Sequence, residues 1–123
     1  MPVALGIAVG GALGALARYW LDEAVGRRTG EFPWGIFVVN ISGAFLIGVA
    51  VEVLEPRFEE GWVRPAVITG FLGAYTTFST LMLESWRLVE SGEVVAGTVN
   101  VVGSAALGIL AVLTGLTIGR LAA

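Results

Sequence analysis

Cysteine, histidine and lysine are all missing from this chain, and charged residues of any kind make up only 14% of its 123 positions. Without cysteine there are no disulfides or thiolate metal ligands, and without histidine the commonest acid–base chemistry is excluded. An enzyme is therefore a poor reading of the composition. Seven arginines against ten acids give a net charge of −3, with no basic cluster of the kind that grips nucleic acid. The N-terminus lacks the basic start of a secretory signal, and its apolar run leads to Arg18 instead of a small-residue cleavage site. The first segment is expected to remain in the mature protein.

What is present is overwhelmingly apolar, 56% of the chain. A hydrocarbon core about 30 Å thick needs roughly 20 apolar residues per helix. Four runs meet that length, near residues 3–21, 33–54, 63–89 and 94–118, so the chain is expected to form one all-α integral membrane domain over 1–123. The connections "DEAVGRRTGEF", "EPRFEEGW" and "ESGE" hold most of the charge and the Gly/Pro punctuation. Pro33 suits a first helical turn, where its missing N–H is not needed. Trp20, Trp34, Trp62 and Trp86 fall near span ends, where an indole ring favours the headgroup level.

Arginine placement gives almost no orientation signal. Four spans put both termini and the middle loop on one side with Arg57, Arg64 and Arg120. The other side holds Arg27, Arg28 and Arg87, with Arg18 near it. Such a balance predicts dual topology, with copies inserted both ways and paired as an antiparallel homodimer. The alternative is that a partner or the insertion machinery sets the orientation.

Gly6, Gly10 and Gly14 form a smooth stripe on the first span, and Ser104, Gly108, Ala111, Gly115 and Gly119 do the same on the last. These stripes read as helix-packing surfaces. The third span is different. Residues 62–91 as one straight helix would measure roughly 45 Å, which overshoots the bilayer core. Near its centre lies "GFLGAYTTFST" at 70–80, where glycines and β-branched residues lower helix propensity together. A break is expected there, facing protein or a cavity, because unpaired backbone groups are not tolerated against lipid. The competing reading is an intact helix bent by hydroxyls bonding back to i−4 carbonyls.

Freed carbonyls could hold a cation, and Thr76, Thr77, Ser79 and Thr80 add hydroxyls. Asn40 in the second span, and Asn100 and Ser104 one turn apart in the fourth, are each either interhelical glue or part of a polar path. Glu84 shares a helix face with Thr80 and is a site candidate, or a residue that snorkels to the interface, and Arg18 has the same two readings. Phe78 could present its positive ring edge to a small anion, or could simply pack.

"GGALGALARY" at 10–19, "GIFVVNISGAFLIG" at 35–48 and "GFLGAYTTFSTLMLE" at 70–84 resemble, in order and spacing, the signature stretches of the Fluc (CrcB) fluoride channels. The resemblance implies a four-span subunit whose third helix is broken over residues 73–77. It implies an antiparallel dual-topology dimer with two pores, exporting fluoride passively across a bacterial or archaeal inner membrane. By the same resemblance the backbone carbonyls of Gly73 and Thr76 would bind a structural sodium at the dimer centre. The fluoride pathway would comprise Asn40, Phe78, Thr80 and Ser104, with Arg18 and Glu84 matching the family's arginine and acid. Two positions depart from the pattern: Ala74 replaces a glycine, and Leu81 replaces a second phenylalanine, leaving no second ring edge. The family also contains paired unequal subunits, so a heterodimer is an alternative to the homodimer. A small multidrug-type proton antiporter would share the size and topology, but it needs a carboxylate deep in its first helix, and residues 3–21 contain none.

Overall fold

The computed structural model describes residues 1–26 and 32–123, and among these the regular structure is entirely helical. Arg27 and Arg28 of the orientation argument lie outside the described residues. Four helical stretches are long and apolar enough to cross a membrane: Val3–Gly26, Trp34–Leu54, Val63–Glu90 and Val94–Ala122. The first and last extend beyond the apolar runs read from sequence, because helix geometry continues through the polar turn at each end. Trp20, Trp34, Trp62 and Trp86 are all exposed.

The first, second and fourth spans are uninterrupted helices, α1 (Val3–Gly26), α2 (Trp34–Leu54) and α6 (Val94–Ala122). The third is assembled from pieces. It begins as a single turn, α3 (Val63–Pro65), widens into a π-helical segment over Ala66–Leu72, and tightens again in α4 (Gly73–Tyr75). Two extended residues follow, Thr76 (φ −85°, ψ 156°) and Thr77 (φ −149°, ψ 122°). The chain then resumes as α5 (Phe78–Glu90). The break is thus narrower than residues 73–77 and falls on the threonines alone. β-Branched residues favour extended backbone, whereas Gly73 keeps helical angles (φ −63°, ψ −38°).

Where the sequence suggested that glycine would loosen the third span, glycine instead lets other helices approach it. A Cβ on Gly10 would collide with the Ala66 carbonyl, and one on Gly14 with the Phe71 carbonyl. A Cβ on Gly70 would lie 2.7 Å from the Ile7 carbonyl. α1 therefore lies backbone against backbone on the π-helical segment. α2 meets α6 in the same way, with Gly115 under the Phe45 carbonyl. Such approaches gain dispersion and Cα–H···O contacts, which replace the missing hydrophobic drive between helices in lipid.

The ends of the bundle are tied by ions. Glu52 of α2 accepts from Arg120 of α6 at 2.9 Å, and Glu55 accepts from Arg64 at 2.6 Å across the middle connection. Both pairs are exposed and contribute little individually. Packing against the π-helical segment is the stronger constraint. Gly14→Val is expected to destabilise the purified protein by about 1–3 kcal/mol through overpacking, read as a lower unfolding midpoint in detergent. An unchanged midpoint would show that α1 is free to move away.

Candidate functional site

The two extended threonines leave backbone groups that a continuous helix would pair, and the protein supplies side chains in their place. Asn40 of α2 reaches across with both ends of its amide. Its Oδ1 accepts the Thr77 N–H at 2.8 Å, and its Nδ2 donates to the Thr77 carbonyl at 3.0 Å. One side chain thereby satisfies both polar groups of the residue at the centre of the break. Thr77 also caps α5: its Oγ1 accepts the Thr80 N–H at 3.3 Å and donates to Thr80 Oγ1 at 3.1 Å. On the other side of the break Thr76 ties back to the end of the π-helical segment, giving both its N–H (3.1 Å) and its hydroxyl (3.0 Å) to the Leu72 carbonyl. Back-bonding and breaking, alternatives in the sequence, thus occur on adjacent residues.

α2 can come this close because of Gly43, where a Cβ would run into the Thr76 methyl and lie 3.2 Å from the Tyr75 ring. Tyr75 is buried, stacks on Phe71 at 6.0 Å, and meets Ser42 Oγ at 2.8 Å. The Ser42 hydroxyl also lies 3.1 Å from the Val39 carbonyl of its own helix. The Tyr75–Ser42 contact holds the end of α4 on α2.

Beside the break opens a cleft of about 500 Å³. Its walls are largely apolar, and its polar groups come from Asn40, Thr76 and Ser104, with Gly73 at the edge. No acidic or basic side chain lines it. Ser104 is a buried hydroxyl that differs from those bonded back to their own helix. Thr98, Thr114, Thr117 and Ser85 each donate to the carbonyl four residues earlier, at 2.7–2.8 Å. Ser104 is only 7% exposed, yet its Oγ has no partner among the described residues. Ser104 thus lines the cleft with a hydroxyl that the protomer's own hydrogen bonds have not spent.

The structure brings Asn40, Gly73, Thr76 and Ser104 to one cleft and links Thr80 to it through Thr77. It does not bring Phe78, Glu84 or Arg18 there. Phe78 is 75% exposed and points away from the protomer's interior, whereas Leu81 is 8% exposed and packs inside it. Glu84 accepts from Arg87 at 3.0 Å and borders a shallow hollow at the end of α5 with Leu88 and Ser91. Arg18 lies one turn before Asp22 on α1. Asp22 was not singled out in the sequence. Its carboxylate lies against Gly35 in the first turn of α2, where the helix dipole favours an anion. The only sign of it in sequence is an acid just beyond an apolar run. Asn100 serves as glue: it is fully buried and donates to Ser85 Oγ at 2.9 Å, joining α6 to α5.

A family profile described as "CrcB-like protein, Camphor Resistance (CrcB)" matches residues 5–116. The chain belongs to the CrcB family. Among curated relatives, a protein of Acidobacterium capsulatum is 46% identical over 122 residues, covering 94% of each chain. One of Rhizobium leguminosarum bv. trifolii is 45% identical over 119 residues, covering 95% of each. A third, of Solibacter usitatus, is 45% identical over 116 residues, covering 93% of this chain and 95% of its own. All three carry the name "Fluoride-specific ion channel FluC". Membership of the CrcB family, with four helices long and apolar enough to cross a membrane among the described residues, agrees with a multi-pass membrane protein.

Replacing Asn40 by leucine would strand the Thr77 N–H and carbonyl at membrane depth. A loss of about 2 kcal/mol or more is expected, given the cost of leaving buried polar groups unpaired. Thermal unfolding followed by circular dichroism would read it, with Thr98→Val, whose hydroxyl serves only its own helix, as the near-neutral comparison. Equal midpoints for the two variants would remove Asn40 from its bracing role.

Proposed function

We propose that this protein is a fluoride-selective passive channel, exporting fluoride from the cytoplasm through two pores in an antiparallel dual-topology dimer of the bacterial inner membrane. The observation that carries the reading is the cleft beside the helix break. It is uncharged, its polar groups are amide and hydroxyl, and its Ser104 hydroxyl is free to donate. Fluoride is small and tightly hydrated, so its path must replace water with short, neutral donors. A cationic side chain there would hold the ion, and a carboxylate would repel it. Asn40 keeps a second amide proton beyond the one given to Thr77, since an NH₂ group has two. The names of the CrcB relatives point to the same ion.

One protomer walls the cleft on one side, and a second copy completes it in this reading. The outward-facing Phe78 supports such a partner, because a ring edge at a subunit interface can meet an anion that its own protomer does not enclose. Thr80 and Ser104 continue the hydroxyl path, and Glu84 and Arg18 belong to its mouth. The near-balance of arginines favours a homodimer over a pairing with an unequal paralogue.

The resemblance also brings a structural sodium at the dimer centre, and the residues present fit one. Gly73 is exposed, lines the cleft and has no side chain of its own. Backbone carbonyls at an interrupted membrane helix suit an alkali cation. The Gly73 and Thr76 carbonyls of each protomer would hold it. The ion would supply a fixed positive charge between the two pores.

Liposomes containing the purified protein are expected to release fluoride, and not chloride, once an ionophore relieves the opposing potential. Phe78→Ile should abolish the release, and Asn40→Asp should impair it by placing a negative charge beside an anion path. Equal release of both ions, or none above empty vesicles, would overturn the channel reading. Unchanged rates in the variants would remove those two residues from the pathway.

A further inference from the structure

The two carbonyls proposed to hold sodium have both lost the partner that a continuous helix would give them. In a continuous α-helix the carbonyl of residue i accepts the N–H of residue i+4. The donor due to Gly73 is therefore the Thr77 N–H, and the donor due to Thr76 is the Thr80 N–H. Both have been taken by side chains. Asn40 Oδ1 holds the Thr77 N–H at 2.8 Å, and Thr77 Oγ1 holds the Thr80 N–H at 3.3 Å. The carbonyls bracketing these two are treated oppositely. Leu72 keeps its helical donor, the Thr76 N–H, and gains the Thr76 hydroxyl as well. Thr77 has its carbonyl occupied by Asn40 Nδ2. Side chains thus quench the carbonyls of residues 72 and 77 and divert the donors of residues 73 and 76.

We infer that Asn40 and Thr77 are positioning residues for the cation, holding the Gly73 and Thr76 carbonyls open by capturing the two amides that would otherwise close on them. The inference rests on the sodium reading above and deepens it. It gives Asn40 a second task besides facing the anion path, and it gives Thr77 a task distinct from the hydroxyl path of Thr80 and Ser104. It also accounts for two threonines in succession. The first supplies a carbonyl, and the second supplies the Oγ1 that frees it. A serine at position 77 would retain that oxygen, and a valine would keep the extended backbone but lose the acceptor.

The test is sodium-dependent stability, read apart from transport. The purified protein is titrated with sodium chloride at constant ionic strength against choline chloride, and thermal unfolding is followed by tryptophan fluorescence. Wild type should show a saturable rise in midpoint specific to sodium. In Thr77→Val and in Asn40→Ala the sodium concentration giving half of that rise should increase about three- to tenfold, the range that one net hydrogen bond represents. Thr77→Ser and Thr98→Val should follow the wild type. A purely structural role would lower every midpoint without moving the sodium dependence.

Wild-type sodium dependence in both Thr77→Val and Asn40→Ala would overturn this inference and leave the cation reading intact. Absence of any sodium-specific rise in the wild type would overturn the cation reading and this inference with it. Should Asn40→Ala fail to fold, the comparison of Thr77→Val with Thr77→Ser decides.

Discussion

A backbone amide or carbonyl at membrane depth has no water to turn to, and that constraint governs the third span. Two residues with extended angles, Thr76 and Thr77, would leave a set of unmatched groups in the middle of the bilayer. The protein answers with side chains from two directions, Asn40 from α2 and the Thr77 hydroxyl from within the break. The remaining features of the bundle are arranged so that this answer is possible. Without a glycine at 43 the second helix would be held too far away for the Asn40 amide to reach.

The same economy runs through the packing. Helices in lipid gain nothing by hiding apolar surface from apolar solvent, so they associate through close approach and polar pairing. Gly10 and Gly14 seat α1 on carbonyls of the third span, Gly115 seats α6 on α2, and Asn100 with Ser85 joins α6 to α5. With α1, α2 and α6 so fixed, the broken span is clamped before and after its break. The cleft between Asn40, Thr76 and Ser104 is the space this clamping leaves. The fold leaves the Ser104 hydroxyl and one amide proton of Asn40 unspent there, and that residual donor capacity is what makes an anion path chemically reasonable.

Much of this was legible in the sequence, for identifiable reasons. Hydropathy and length reveal membrane helices because lipid imposes both. The break was visible as hydroxyls and glycines inside an overlong span. Its exact position was not, because glycine can either loosen a helix or admit a neighbour, and only the tertiary contact decides which. Gly70 and Gly73 proved to be helical. The π-helical segment over Ala66–Leu72 left no compositional trace, since one extra residue per turn changes hydrogen-bond register and not side-chain chemistry. Asn40 could be marked as glue or path, but its partner lies 37 residues away and is backbone, which no side-chain pattern announces. Ser104 looked like any other hydroxyl in a span. Its distinction, burial with no hydrogen-bond partner, exists only in three dimensions. Phe78 and Leu81, neighbours in the motif, turned out to face outward and inward respectively, so their chemistry diverges for a reason of packing.

The central claim is that the Thr77 amide has left its own helix for the side chain of Asn40. Its most direct test is a through-hydrogen-bond coupling measurement by NMR on the deuterated protein in detergent, with Thr77 labelled at the amide nitrogen and carbonyl carbons labelled throughout. The account predicts a coupling from the Thr77 nitrogen to the side-chain carbonyl carbon of Asn40. A coupling from that nitrogen to the backbone carbonyl carbon of Gly73 would contradict it, because the third span would then continue as a helix through the break.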